Sequence, residues 1–133
     1  SIKNVQLFLE EGDLFINQGR FEKAKESYDK GRNLAKQLSG FYRDLNGAFR
    51  GIDARIPREM DSKGREAQSL LAKTNLRLAT LFRKQNQPEV AVPLLVEVIR
   101  LMTPTKAEGQ QAYQTLLELG FVETPYAGMR KGN

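Results

Sequence analysis

The chain of 133 residues contains no cysteine, no histidine and no tryptophan. Without cysteine it can form no disulfide scaffold, no thiolate nucleophile and no Cys-based zinc or iron–sulfur site. Without histidine it lacks the most common general base and the most common metal ligand. The sequence also has no phosphate-binding loop and no calcium-loop spacing. We therefore predict a protein that is not an enzyme and that uses no cofactor and no metal.

The charge is moderately basic, with 21 Lys and Arg against 16 Asp and Glu and a net charge of +5. This balance permits an acidic peptide, an anionic lipid surface or RNA as partner and requires none of them. No segment approaches the roughly 20 apolar residues of a membrane span. The chain begins with Ser1 and shows no signal peptide. We expect an intracellular, cytoplasmic protein, and we expect the chain to be a fragment or a processed form because it does not start with methionine.

Apolar residues recur at steps of three and four nearly everywhere, and no segment alternates with a period of two. This pattern predicts an all-α fold of about five helices. Gly19 and Gly120 suit the left-handed position that follows a helix. Further breaks are expected at 86–88 and 103–105 because each contains proline.

The middle of the chain leaves two alternatives open. One is a long helix over about 21–56, and the other has a turn at Ser39-Gly40 with a new helix beginning at Phe41. Pro57 ends the helix in both alternatives, since the residue before a proline is disfavoured in helical geometry. The next helix is then expected to begin at Asp61 or Ser62, which are suitable N-caps.

Two helix pairs share a spacing of small residues. Gly12 and Ala24 are 12 residues apart, as are Ala79 and Ala91, and the second pair is displaced by 67 residues. Antiparallel helices approach closely where such residues lie between them. With its aromatic residues at Phe15, Phe21 and Tyr28, the first pair resembles a tetratricopeptide repeat (TPR), and the second pair is similar but weaker.

The resemblance implies one TPR-like domain of antiparallel helix pairs over 1–123. Its repeat-like parts are 5–38 and 72–105, and 39–71 is a lengthened hairpin or a degenerate repeat. A capping helix follows at about 106–119, and 124–133 form a flexible tail. By resemblance, the function is that of a scaffold or adaptor, which holds a peptide or helix of another protein in a concave groove. The partner-binding residues implied by family position are Leu9, Asp13, Ile16 and Asn17 in the first repeat and Lys73, Thr80, Arg83 and Lys84 in the second.

Charge supplies an independent argument for a partner. Between Ala67 and Pro88 there are four basic residues and no acidic one. Lys73, Arg77 and Lys84 share a helix face because they are four and seven residues apart. They predict a docking strip for an acidic peptide. Alternatively, these basic residues lie on a solvated helix face with no binding function, and carboxylates from another helix balance their charge.

Two other functions remain open. An RNA- or anion-binding domain would use the basic residues crowded into the middle of the chain, which are Arg43, Arg50, Arg55, Arg58, Lys63 and Arg65. We favour a protein partner over nucleic acid, because acidic residues are interleaved there. A homo-oligomerising structural subunit, such as a dimer, would use the middle hairpin, where Gly47 and Gly51 form a small-xxx-small pattern.

Overall fold

The structure is a computed structural model that describes residues 1–126. Within that range all the regular secondary structure is α-helical, and there is no strand. The five helices are α1 (Ile2–Asn17), α2 (Phe21–Phe49), α3 (Arg55–Lys84), α4 (Pro88–Met102) and α5 (Ala107–Leu119). The prediction of an all-α fold with about five helices is therefore confirmed. Residues 127–133, most of the tail predicted to be flexible, lie outside the described range.

The chain divides into two compact units. The first comprises Ser1–Leu71 and contains α1, α2 and the beginning of α3. The second begins at Ala72 and contains the end of α3 with α4 and α5. Each unit has its own cluster of buried apolar side chains.

In the first unit, α1 and α2 form a hairpin whose turn contains Gly19 at φ +71°, as predicted. The helices approach closely at two glycines. Gly12 lies against the ring of Tyr28, and a Cβ built on Gly31 would lie 3.2 Å from Cβ of Phe8. Val5 and Ala24 are fully buried beside these contacts. Glycine at these positions allows one helix to lie directly on the side chains of the other.

Of the two alternatives for the middle segment, the continuous helix is correct, since α2 passes through Ser39-Gly40 without a break. Its predicted end at Pro57 is wrong. α2 ends at Phe49, and Gly51 at φ +82° lies in the turn that follows. Pro57 is the third residue of α3, where its missing N–H removes no intrahelical hydrogen bond.

The predicted start of this helix at Asp61 or Ser62 is also wrong, because α3 begins at Arg55. Asp53 supports that start: its Oδ1 accepts the backbone N–H of Arg55 at 2.9 Å. A carboxylate next to the first N–H groups of a helix also interacts favourably with the helix dipole.

In the second unit, three helices share one apolar core. Its buried members are Ala72, Leu76, Ala79, Ala91, Leu95, Val98, Ala112 and Leu116. Pro93 lies inside α4 on its exposed side, where water can solvate the Glu89 carbonyl that has lost its helical donor. α5 ends at Gly120 at φ +82°, as predicted.

Candidate functional site

The first-repeat residues predicted to bind a partner differ in how accessible they are. Leu9 is only 5% exposed, so its side chain belongs to the core and offers no surface to a partner. Asp13 is half-buried, and its Oδ1 accepts the hydroxyl proton of Tyr28 at 2.5 Å. Ile16 is half-buried and Asn17 is exposed. Among these four residues only Asn17 presents an open side chain, and we leave Leu9 out of the proposed surface.

The second-repeat residues lie on the part of α3 that belongs to the second unit. Lys73, Thr80, Arg83 and Lys84 are all exposed, whereas Arg77 is half-buried. We define the basic strip as Lys73, Arg77 and Lys84, which share one face of α3. Lys73 and Lys84 are 11 residues apart. At a rise of 1.5 Å per residue, their Cα atoms lie about 16 Å apart along the helix axis.

The charges on this part of α3 are not equally available. Arg83 Nη1 lies 3.3 Å from Glu118 Oε2 on α5, so a carboxylate from another helix already balances this guanidinium. Within residues 1–126, Lys73 and Lys84 make no ion pair. The Thr80 hydroxyl donates to the Leu76 carbonyl at 3.0 Å, which leaves its oxygen able to accept another hydrogen bond. Charge balance by a carboxylate from another helix therefore applies to Arg83 but not to the two lysines.

A polar groove lies in the first unit between α2 and α3. It has a volume of about 260 Å³. We call it the arginine groove, after Arg43, Arg50 and Arg65, which line it together with Asn46 and Asp61. The sequence places these arginines in one crowded segment, but only the antiparallel pairing of α2 with α3 brings them to a common groove. None of them is among the predicted partner-binding residues.

An apolar cavity of about 360 Å³ lies in the second unit. Its lining residues are Ile99, Pro104, Tyr113, Leu116, Thr124, Pro125 and Tyr126. The hydroxyl of Tyr113 donates to the carbonyl of Thr124 and ties the segment after α5 to that helix. Sequence reasoning missed this cavity because Pro104 and Pro125 indicate only that a helix ends or is absent there.

Among the residues that the structure describes, Asp53 and Arg55 perturb each other's ionisation. The guanidinium of Arg55 hydrogen-bonds to Asp53 and, with the Arg55 backbone N–H, lowers the pKa of that carboxyl below its usual value of 3.8. The same pairing raises the pKa of Arg55. The pair is exposed and local, so it stabilises the start of α3. Among residues 1–126 no group of three carboxylates is arranged to hold a metal ion.

Comparison with protein-family models, with curated proteins and with solved structures finds no match to this chain. The resemblance to TPR proteins therefore remains a prediction that rests on the residues themselves. In the part of the chain that the structure describes, no helix is both long and apolar enough to cross a membrane.

Proposed function

We propose that this chain is a TPR-like, non-enzymatic binding module that holds an acidic segment of another protein along the basic strip of α3. The observation that supports the proposal is the pair of lysines, Lys73 and Lys84, which have no ion-pair partner within 1–126. No acidic residue lies between Ala67 and Pro88 to reduce their field. Cations held on a regular helix steer an acidic partner and fix its orientation.

The spacing of the two lysines specifies the partner. An extended chain rises about 3.3 Å per residue, so about five residues span the roughly 16 Å between Lys73 and Lys84. Because alternate side chains of an extended chain point to the same side, the partner is an extended segment with two acidic side chains about four or six positions apart.

A peptide suits this face better than RNA. Sequence-tolerant binding of single-stranded RNA uses exposed aromatic side chains on which bases stack. None of the large apolar residues exposed within 1–126 lies on α3. The aromatic residues with substantial exposure are instead Phe21, Phe41, Phe121 and Tyr126.

The test is a fluorescence-anisotropy titration with labelled peptides that carry two glutamates at separations of two to eight residues. We expect the strongest binding at separations of about four and six, which place both glutamates on one side of the peptide at nearly the required span. The double variant Lys73→Glu/Lys84→Glu should weaken that binding by at least about tenfold, because two attractions become repulsions. Lys63→Glu is the matched control, since Lys63 is an exposed lysine on the same helix but in the first unit. A peptide series with no preferred separation, or an equal loss with the control, would contradict the proposal.

A further inference from the structure

The arginine groove has walls that are fixed by direct contacts between α2 and α3. The Asn46 side-chain amide donates to the Pro57 carbonyl at 3.1 Å and to Asp61 Oδ1 at 2.5 Å. Further along, a Cβ built on Gly64 would lie at contact distance, 3.8 Å, from Cβ of Tyr42. These contacts hold the two helices together, so the groove exists before any ligand arrives. A site formed in advance avoids the entropic cost of ordering its walls on binding.

The polar lining carries an excess of positive charge. Arg43 and Arg50 are seven residues apart on α2 and its C-cap and therefore lie on one side of that helix, and Arg65 comes from α3. Arg43 and Arg65 make no ion pair with any residue of the described range, and Arg50 makes a long hydrogen bond of 3.5 Å to Asn46 Oδ1. Asp61 is the single carboxylate of the lining. Three cations and one anion leave a net charge of +2.

The rest of the lining includes the polar Ser39 and Gln68 beside Tyr42 and Met60. Tyr42 and Met60 are both almost fully buried and contribute to the wall of the groove. A ligand held there can place a charged group among the guanidinium groups and a short carbon portion against these two side chains. At about 260 Å³, the groove is slightly smaller than most ligand sites, which hold about 300–1,000 Å³, and suits a small molecule.

From this geometry we infer that the arginine groove binds a small phosphomonoester. A phosphomonoester carries a charge of about −1.5 to −2 at neutral pH, which matches the net charge of the lining. Its oxygens accept paired hydrogen bonds from guanidinium groups, which present two N–H donors in one plane. A phosphodiester, as in a nucleic-acid backbone, carries only one negative charge and matches the groove less well. This inference is independent of the proposed peptide surface, because it concerns residues 39–68 of the first unit.

The test uses NMR observation of the arginine side-chain Nε–Hε signals while glycerol 3-phosphate is added to the full chain. We expect saturable shifts at millimolar concentration, corresponding to a binding free energy of about 4 kcal/mol. Dimethyl phosphate, a diester of single charge, should bind at least about fivefold more weakly. The double variant Arg43→Gln/Arg65→Gln should reduce the affinity for glycerol 3-phosphate by at least about tenfold.

Arg58→Gln provides the matched control, since Arg58 is an exposed arginine of α3 that does not line the groove. It should leave the affinity unchanged within about twofold. Circular dichroism and thermal unfolding establish that each variant folds; for a double variant that fails to fold, the single variant Arg65→Gln replaces it. Shifts that do not saturate, equal binding of the diester, or an equal loss in Arg58→Gln would each overturn the inference.

Discussion

The ring of Tyr28 fills the space beside Gly12 that any side chain at position 12 would need. A Cβ built on Gly12 would lie 2.8 Å from Cζ of Tyr28, well inside contact distance. The ring cannot easily move aside, because Tyr28 is only 2% exposed and its hydroxyl donates a hydrogen bond to Asp13. The spacing between α1 and α2 at this point therefore depends on glycine.

We expect Gly12→Ala to lower the free energy of unfolding by about 1–3 kcal/mol, because the added methyl group overpacks the hairpin. Gly47→Ala should raise it by about 0.5–1 kcal/mol, since a Cβ there meets nothing within 4 Å and alanine favours the helix. Urea denaturation followed by circular dichroism measures both changes. If both variants changed stability in the same direction, helix propensity and not the contact with Tyr28 would determine the effect of the substitution at position 12.

The turn between α4 and α5 predicts a second pair of opposite effects. A Cβ on Gly109 would lie 2.8 Å from the carbonyl carbon of Thr103, and this backbone neighbour cannot rotate away. Gly109→Ala should therefore cost about 3 kcal/mol or more. Thr103 adopts φ +63° and ψ +159°, which is unfavourable for a β-branched residue. Thr103→Gly should stabilise the protein by about 1 kcal/mol, and a loss of stability in thermal unfolding would contradict this account.

A buried amide links α3 to α4 in the second unit. The Asn75 side-chain amide donates to Glu97 Oε1 at 2.9 Å and to the Leu94 carbonyl at 3.3 Å, and the residue is 0% exposed. Asn75→Ala should destabilise the protein by about 1–3 kcal/mol, because it removes two hydrogen bonds between α3 and α4. As the control, Gln37→Ala, at an exposed position of α2, should change the stability by less than about 0.5 kcal/mol. Chemical denaturation of the two variants distinguishes these results.

The Asp53–Arg55 pair predicts a measurable pH effect. Hydrogen bonds from the Arg55 side chain and backbone lower the pKa of Asp53 in the folded state. The stability that this carboxylate contributes is therefore present above its ordinary pKa of 3.8 and is lost as the pH falls through the lower, folded-state value. Arg55→Ala should raise the pKa of Asp53 toward its ordinary value, which NMR titration of the carboxyl carbon measures. An unchanged pKa would show that the backbone N–H alone causes the shift.

Helix ends that depend on local conformation could be predicted from the sequence. Gly19 and Gly120 both have the positive φ expected of a residue after a helix. Pro57 was assigned wrongly because proline suits both the end of one helix and the first turn of another. The deciding signal was Gly51, whose positive φ places the turn before the proline. The sequence contained that signal, but the continuous apolar pattern through Ile52 and Ile56 obscured it.

The surface features depended on contacts between distant residues and could be predicted only in part. The charge pattern identified Lys73 and Lys84, but it could not show that Glu118, 35 residues after Arg83, balances that arginine. Family position placed Leu9 among partner-binding residues, yet packing within the chain buries it. The arginine groove could not be foreseen either, because it depends on the register between α2 and α3.

The turn between α4 and α5 also limits how this sequence can diverge. Position 109 tolerates only glycine while the Thr103 carbonyl keeps its place. Position 103 can change to glycine with a gain in stability, because its positive φ strains threonine. We therefore expect substitutions in this turn to accumulate first at position 103. We expect insertions and deletions between α4 and α5 to be selected against, because they would displace the Thr103 carbonyl that packs against Gly109.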